Sequence, residues 1–182
     1  MRKMGSVPNL ATEVASPWVR RWAHLVERGP VLDVACGAGR HAMLFAERGL
    51  EVVAVDKFDQ VLPRAIRFIK ADLEDGSPWP FPGQRFAGIV VTNYLYRPLL
   101  PVLRDSLDEG GVLIYETFMA GNERYGRPSN PDFLLRPGEL LGAFGALSVA
   151  AFEQGTLDGT KKAVIQRICV IRGDAGSVRI DP

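Results

Sequence analysis

At 182 residues, with 47% apolar and 24% charged side chains, the chain has the length and composition of one globular domain around one hydrophobic core, and a single domain over 1–182 is expected. A formal net charge of +1 supplies no overall field for nucleic acid or an anionic membrane, although a local basic patch is compatible with it. Two cysteines (Cys36, Cys169) and two histidines (His24, His41) are too few for a disulfide framework or a cysteine- or histidine-based metal centre, so no metal is expected.

In chain order, 1–15 reads as an N-terminal extension. Its first ten residues lack the apolar core of a signal peptide, and no run nears the ~18 apolar residues of a membrane span. A cytoplasmic address without membrane contact is expected. Ser16-Pro17 reads as an N-cap followed by proline at the first helical position, opening a helix with Val19, Trp22, Leu25 and Val26 on one face and a stop at Gly29-Pro30. A short buried strand over 31–35 leads through a glycine turn, 36–39, into a helix over 40–48 capped by Gly49. The next strand, 51–55, ends at Asp56, and 66–71 reads as the third. Only 57–65 separate them, with Pro63 inside, whereas a parallel crossover normally takes about a dozen residues or more, so a loop or single turn is expected in place of a helix.

The fourth strand is expected over 86–92, a helix from Pro98 to about residue 107, a turn at Gly110-Gly111 and a fifth strand over 112–117. The long Gly/Pro/Asn/Arg-rich stretch 118–136 reads as a functional loop on the substrate side. Pro137 opens a helix to about residue 144. Two strands, about 147–153 and 163–172, follow as a hairpin around Leu157-Asp158-Gly159-Thr160, and 173–182 reads as a tail. Strand and helix alternate up to the hairpin. That order predicts an α/β, Rossmann-like, doubly wound and mostly parallel sheet with helices on both faces and an antiparallel hairpin at the end.

The chemistry-bearing pattern is Val31-Leu32-Asp33-Val34-Ala35-Cys36-Gly37-Ala38-Gly39-Arg40-His41. It falls at the carboxyl end of the first strand, where open α/β sheets bind ligands. Gly37 and Gly39 let backbone approach a ligand, and a carboxylate at Asp33 could hold a cationic amino group directly or through water. Asp56 and Asp72 stand at the ends of the next two strands.

This pattern resembles the class I S-adenosylmethionine-dependent methyltransferases, whose first motif is an acid, two or three residues, then Gly-x-Gly. The resemblance implies that Asp33, Gly37 and Gly39 line the methionine end of S-adenosylmethionine, with Ala35 and Arg40 also in the cofactor site. It implies that Asp56, with Lys57 beside it, accepts from the ribose hydroxyls, that Asp72-Leu73 meet the adenine, and that Asn93 contacts the cofactor and begins the substrate site. S-adenosylhomocysteine would be the product. Residues 89–99 (Ile-Val-Val-Thr-Asn-Tyr-Leu-Tyr-Arg-Pro-Leu) and Tyr115-Glu116-Thr117-Phe118 look most like the tellurite-resistance (TehB-like) branch, which methylates small soft nucleophiles such as tellurite, selenite or thiols. A small-molecule acceptor is therefore expected, soft or anionic, because arginines in the long loop suit an oxyanion. Tyr94, Tyr96 and Tyr125 are candidates for the substrate wall, with Tyr94 or Tyr125 positioning a nucleophile. The oligomeric state is not legible.

Other readings compete. Gly37-Ala38-Gly39-Arg40-His41-Ala42 also satisfies the dinucleotide pattern, with Asp56 at the right spacing. Such enzymes need no acid at Asp33 and usually carry a separate substrate domain. Asp33 could instead cap local amides, and Asp56 and Asp72 could be strand-end turn residues. Cys36 reads as filler, Trp18 and Trp22 as packing, and His41 as a first-turn residue facing solvent or a neighbour. Asn130-Pro131-Asp132-Phe133 resembles the motif of amino-methylating nucleic-acid enzymes but lies in the long loop, not after the fourth strand, and reads as a turn. A nucleic-acid or protein methyltransferase and a non-catalytic scaffold are the remaining alternatives.

Overall fold

The computed structural model describes residues 14–159 and 161–174 with Gly176 and Arg179. The expected N-terminal extension up to residue 13, Thr160 and most of the expected tail lie outside the described residues.

Seven strands form one sheet in the order β3-β2-β1-β4-β5-β7-β6. The strands are β1 (Val31–Val34), β2 (Val52–Asp56), β3 (Ile66–Lys70), β4 (Phe86–Thr92), β5 (Leu107–Phe118), β6 (Ser148–Asp158) and β7 (Lys162–Ile171). The first five pair in parallel; β7 runs antiparallel to both β5 and β6. β1 and β2 are buried throughout, as expected of Val/Leu-rich strands covered on both faces. Chain direction reverses in strand order beside β1, which opens a crevice at the carboxyl ends of β1 and β4.

Helices α1 (Pro17–Trp22) and α2 (Arg40–Glu47) cover one face with Trp18, Val19, Trp22, Ala42 and Phe45. Helices α3 (Leu99–Asp105) and α4 (Glu139–Phe144) cover the other with Leu99, Leu103, Leu140 and Phe144. The N-cap of α1 forms as the sequence predicts: Ser16 Oγ accepts from Val19 N at 3.2 Å, with Pro17 next. Trp18 and Trp22 are buried and meet edge to face at 5.7 Å, so they pack the core.

The short crossover 57–65 contains no helix, as its length requires. Leu62 packs against the core cluster on the α2 side instead. The expected alternation fails a second time, between β3 and β4, where 71–85 also lack a helix. The local reason is Pro78-Trp79-Pro80-Phe81-Pro82: three prolines in five positions remove helix donors, and the aromatic residues between them cover the sheet. Trp79, Phe81 and Phe86 form an edge-to-face chain with centroids 5.1 and 5.4 Å apart. Burying Phe81 alone is worth about 1.5–3 kcal/mol.

Several boundaries differ from expectation, the first being α1, which ends at Trp22 and gives way to a 3-10 turn over Ala23–Leu25 instead of running to Gly29. Gly110 and Gly111 lie inside β5 rather than ahead of it, because Gly110 N donates to Arg172 O at 2.6 Å and Arg172 N to Gly111 O at 2.9 Å, extending the pairing with β7's end. The hairpin strands also run further than expected, to Asp158 and from Lys162.

Candidate functional site

The glycine turn is built from backbone. Ala35, Gly37 and Gly39 take φ of +52°, +51° and +75°, so two of three positions need glycine's freedom and Ala35 is strained. A Cβ on Gly37 would meet open space, whereas one on Gly39 would stand 2.5 Å from Leu62 Cδ2. The crossover loop therefore lies against the turn at Gly39 and leaves it open at Gly37.

Asp56 ties β2 to that turn. Its Oδ2 accepts from Gly37 N and its Oδ1 from Phe58 N, each at 2.9 Å. Asp56, Ala35, Lys57, Ala71, Asp72, Leu73 and Tyr94 line one pocket of about 50 Å³. Asp72 Oδ1 accepts from Glu74 N at 3.0 Å, which turns the chain after β3. Tyr94 is half-buried, and burial, with Glu74 alongside, pushes its hydroxyl pKa up, so it stays a neutral phenol. Tyr115, buried on β5, donates its hydroxyl to Tyr94 O at 2.9 Å and fixes that backbone.

Asp33 is placed differently from its neighbours. It is 2% exposed, and Oδ2 accepts from Ala42 N at 2.9 Å near the start of α2. Burial pushes its carboxyl up to about 8, against the lowering effects of the Ala42 amide and Arg40. Asp33 thus braces the turn from below and does not line the pocket. Arg40 opens α2, with Gly39 as its N-cap.

His41 differs from the solvent-facing alternative: it is 1% exposed. Nε2 accepts from Ser16 N at 3.2 Å, which leaves the ring proton on Nδ1, 3.4 Å from Thr92 Oγ1. Burial holds its pKa down to about 4, with Arg40 adding to the effect. This neutral ring links α1, α2 and the end of β4. Cys36 is buried, and burial raises its thiol pKa, in keeping with a filler.

A second, larger cavity of about 850 Å³ opens where β4, β5 and the β6–β7 hairpin end. Asn93 (φ +54°) and Tyr125 line it together with Glu116, Phe118, Asn122 and Arg127, and with hairpin residues including Leu157 and Lys161. Asn93 lines the larger cavity and Tyr94, the next residue, lines the smaller one, so both cavities draw on the segment just past β4. Tyr96, the third proposed wall residue, packs against the core instead.

The long loop is pinned at several points. Met119 bridges Leu135, Ala120 N donates to Leu135 O at 2.9 Å, and buried Asn122 donates to Pro128 O at 3.0 Å while accepting from Val164 N at 3.1 Å. Arg97 holds Glu139 with two hydrogen bonds and donates to the carbonyls of Asp132 and Leu134. Asn130 Oδ1 accepts from Asp132 N at 3.0 Å, so Asn130-Pro131-Asp132-Phe133 is a capped turn. Glu116, Phe118 and the hairpin tip went unassigned in the sequence; the adjacent Lys161-Lys162 beside a turn was the available signal.

Residues 31–111 match a family model described as a methyltransferase domain. That stretch is similar to the methyltransferase domain, and the fold around it is that of several methyltransferases. In fold it is similar to TehB from Haemophilus influenzae, with TM-score 0.66 and 17% identity over 86% of this chain and 61% of that one. It is also similar to the 1,6-didemethyltoxoflavin-N1-methyltransferase of Burkholderia thailandensis, whose crystal holds 1,6-didemethyltoxoflavin and S-adenosylhomocysteine (0.62, 17%, 86% and 76%). A third is an S-adenosylmethionine-dependent methyltransferase from Mesorhizobium loti (0.63, 14%, 84% and 97%). These identities carry the fold alone. The chain spans 61% of the length of TehB. No curated protein matches the chain in sequence. Among the described residues there is no metal-binding cluster and no helix long and apolar enough to cross a membrane.

Proposed function

We propose that the methyltransferase domain moves a methyl group from S-adenosylmethionine to a small-molecule acceptor. The observation that carries this reading is a pair of cavities lined by the consecutive residues Asn93 and Tyr94, one with the groups a nucleoside needs and one roomy enough for an organic molecule.

The donor set fits the cofactor. Asp56 offers a carboxylate in the pocket, and its oxygens, each holding one amide, keep lone pairs for two adjacent hydroxyls. Asp72 can accept from an exocyclic amine, while Ala71, Leu73 and Tyr94 supply apolar wall for a base. Open space beyond Gly37 admits a chain across the turn. When bound, the cofactor supplies a methyl already made electrophilic by its sulfonium. The protein's share is then to hold the acceptor in line with it and exclude water, which needs neither a triad nor a metal.

The small-molecule assignment rests on a lining cavity and on the absence of a strong overall charge that would recruit nucleic acid. Transfer of labelled methyl from the cofactor to thiols, chalcogen oxyanions, small organic nucleophiles and RNA tests it. Label is expected in a small molecule; label in RNA alone would replace that acceptor class.

A further inference from the structure

We propose that the acceptor is an organic acid with an elongated apolar body, its carboxylate held by Arg127, Lys161 and Lys162 and its nucleophile at the Asn93 end of the large cavity. This rests on the methyl-transfer reading above and adds the substrate class.

The strand register sets the distances. On β5 and β7, Glu116 lies level with Arg167 and Phe118 with Ile165. From Arg167 the hairpin climbs five residues to Lys162, about 16 Å at ~3.3 Å per residue. The wall thus changes character along its height. At the base, Asn93 follows β4 directly and Glu116 on β5 supplies a polar floor. The Glu116 charge is offset by Arg167 at 3.2 Å, and its side chain is only 13% exposed. Phe118, Ile165, Leu157 and Tyr125 make the middle apolar.

Lys161 and Lys162 stand exposed at the far end, and Arg127, also exposed, lines the same cavity. Lys162 meets Asp158 at 3.1 Å, whereas Arg127 and Lys161 make no ion pair among the described residues. Two cations without ion-pair partners among the described residues, Arg127 and Lys161, beside the Lys162–Asp158 pair and an apolar channel favour an anionic group there, and the arginine fork suits a carboxylate.

Size separates this class from an inorganic oxyanion. Tellurite or selenite would fill the space of a few waters, on the order of 100 Å³ at ~30 Å³ each. The cavity is about 850 Å³, in the range that encloses drug-sized organic ligands. An oxyanion seated on the cations would also leave its nucleophilic atom far from Asn93. In the transfer, a lone pair on the acceptor forms the bond to the methyl carbon, the carbon–sulfur bond breaks with its pair remaining on sulfur, and the acceptor's proton leaves to water. The carboxylate is unchanged and serves only to orient.

The test compares hydroxy-, amino- and mercapto-substituted biphenylcarboxylates with the same biphenyls lacking the carboxylate, alongside selenite and tellurite. Methyl transfer is measured with labelled cofactor, and binding of the acids by calorimetry in the presence of S-adenosylhomocysteine. The acids are expected to bind, and kcat/KM for at least one to exceed its neutral partner by about tenfold or more, the scale of a hydrogen bond to a charged group. Arg127→Ala combined with Lys161→Ala should erase most of that preference and leave S-adenosylhomocysteine affinity unchanged. Equal use of the neutral partners, preference for the chalcogen oxyanions, or no acid bound by a protein that binds S-adenosylhomocysteine would overturn the proposal. Failure to bind S-adenosylhomocysteine at all would overturn the methyl-transfer reading together with it.

Discussion

The two cavities on either side of Asn93-Tyr94 are built in opposite ways. The smaller pocket is made of strand tips and turn backbone, with Asp56 stitching β2 to Gly37. The larger cavity is made of side chains from four separate segments, held by a loop that buried Asn122 clamps to β7. One half is a property of local sequence, the other of topology. A fold of this kind can keep the first half fixed while the second changes with loop and hairpin.

That division can be broken from the pocket side first. Asp56→Ala removes the acceptor for two backbone amides and for the nucleoside hydroxyls. S-adenosylhomocysteine affinity should fall by about 1.5–3 kcal/mol, tenfold or more, by calorimetry. An unchanged affinity would remove Asp56 from the site. On the other side, Asn122→Ala leaves Val164 N and Pro128 O without their partners. It should cost about 1–3 kcal/mol in denaturant unfolding and raise KM for the acceptor while S-adenosylhomocysteine affinity holds. Weakened cofactor binding in that variant would mean the halves are coupled.

A smaller effect is expected at the turn itself. Gly39→Ala must hold φ near +75° and displace Leu62, for about 1–2 kcal/mol in stability from the left-handed backbone alone. Adding Leu62→Ala should recover the part due to the clash. If the double variant is no more stable than Leu62→Ala and Gly39→Ala effects summed, the loop does not press on the turn.

The smallest effect is a pH slope. Asp33 titrates near 8 in the fold against an ordinary 3.8, so its contribution to stability is complete below about 4 and is lost as pH rises toward 8. His41 is held down to about 4 from 6.5, so its contribution is complete above 6.5 and is lost as pH falls toward 4. The slopes oppose one another between 4 and 6.5, leaving Asp33's decline uncompensated from 6.5 to 8. Asp33→Asn should flatten that upper limb of the unfolding free energy. A slope that persists in the variant would assign it to another group.

What the sequence made legible follows the same division. Residues 31–41 place a strand, a turn and a helix start in eleven consecutive positions, so glycine and acid spacing speak directly about backbone shape. The helix-free second crossover could be read from its length alone. The helix-free third could have been read from Pro78, Pro80 and Pro82 but was not. Asp33 kept two readings because a buried cap and a ligand acid have the same sequence signature; in the fold it is buried and accepts from Ala42 N. Glu116 and Lys161 are 45 positions apart in the chain and share a cavity because β7 returns beside β5. Nothing local marks that pairing.

Calorimetric titration of the protein with S-adenosylhomocysteine, and separately with a nicotinamide dinucleotide, tests the central claim most directly. Micromolar binding of the first and none of the second is the predicted result. Binding of the dinucleotide instead, or of neither, would contradict it.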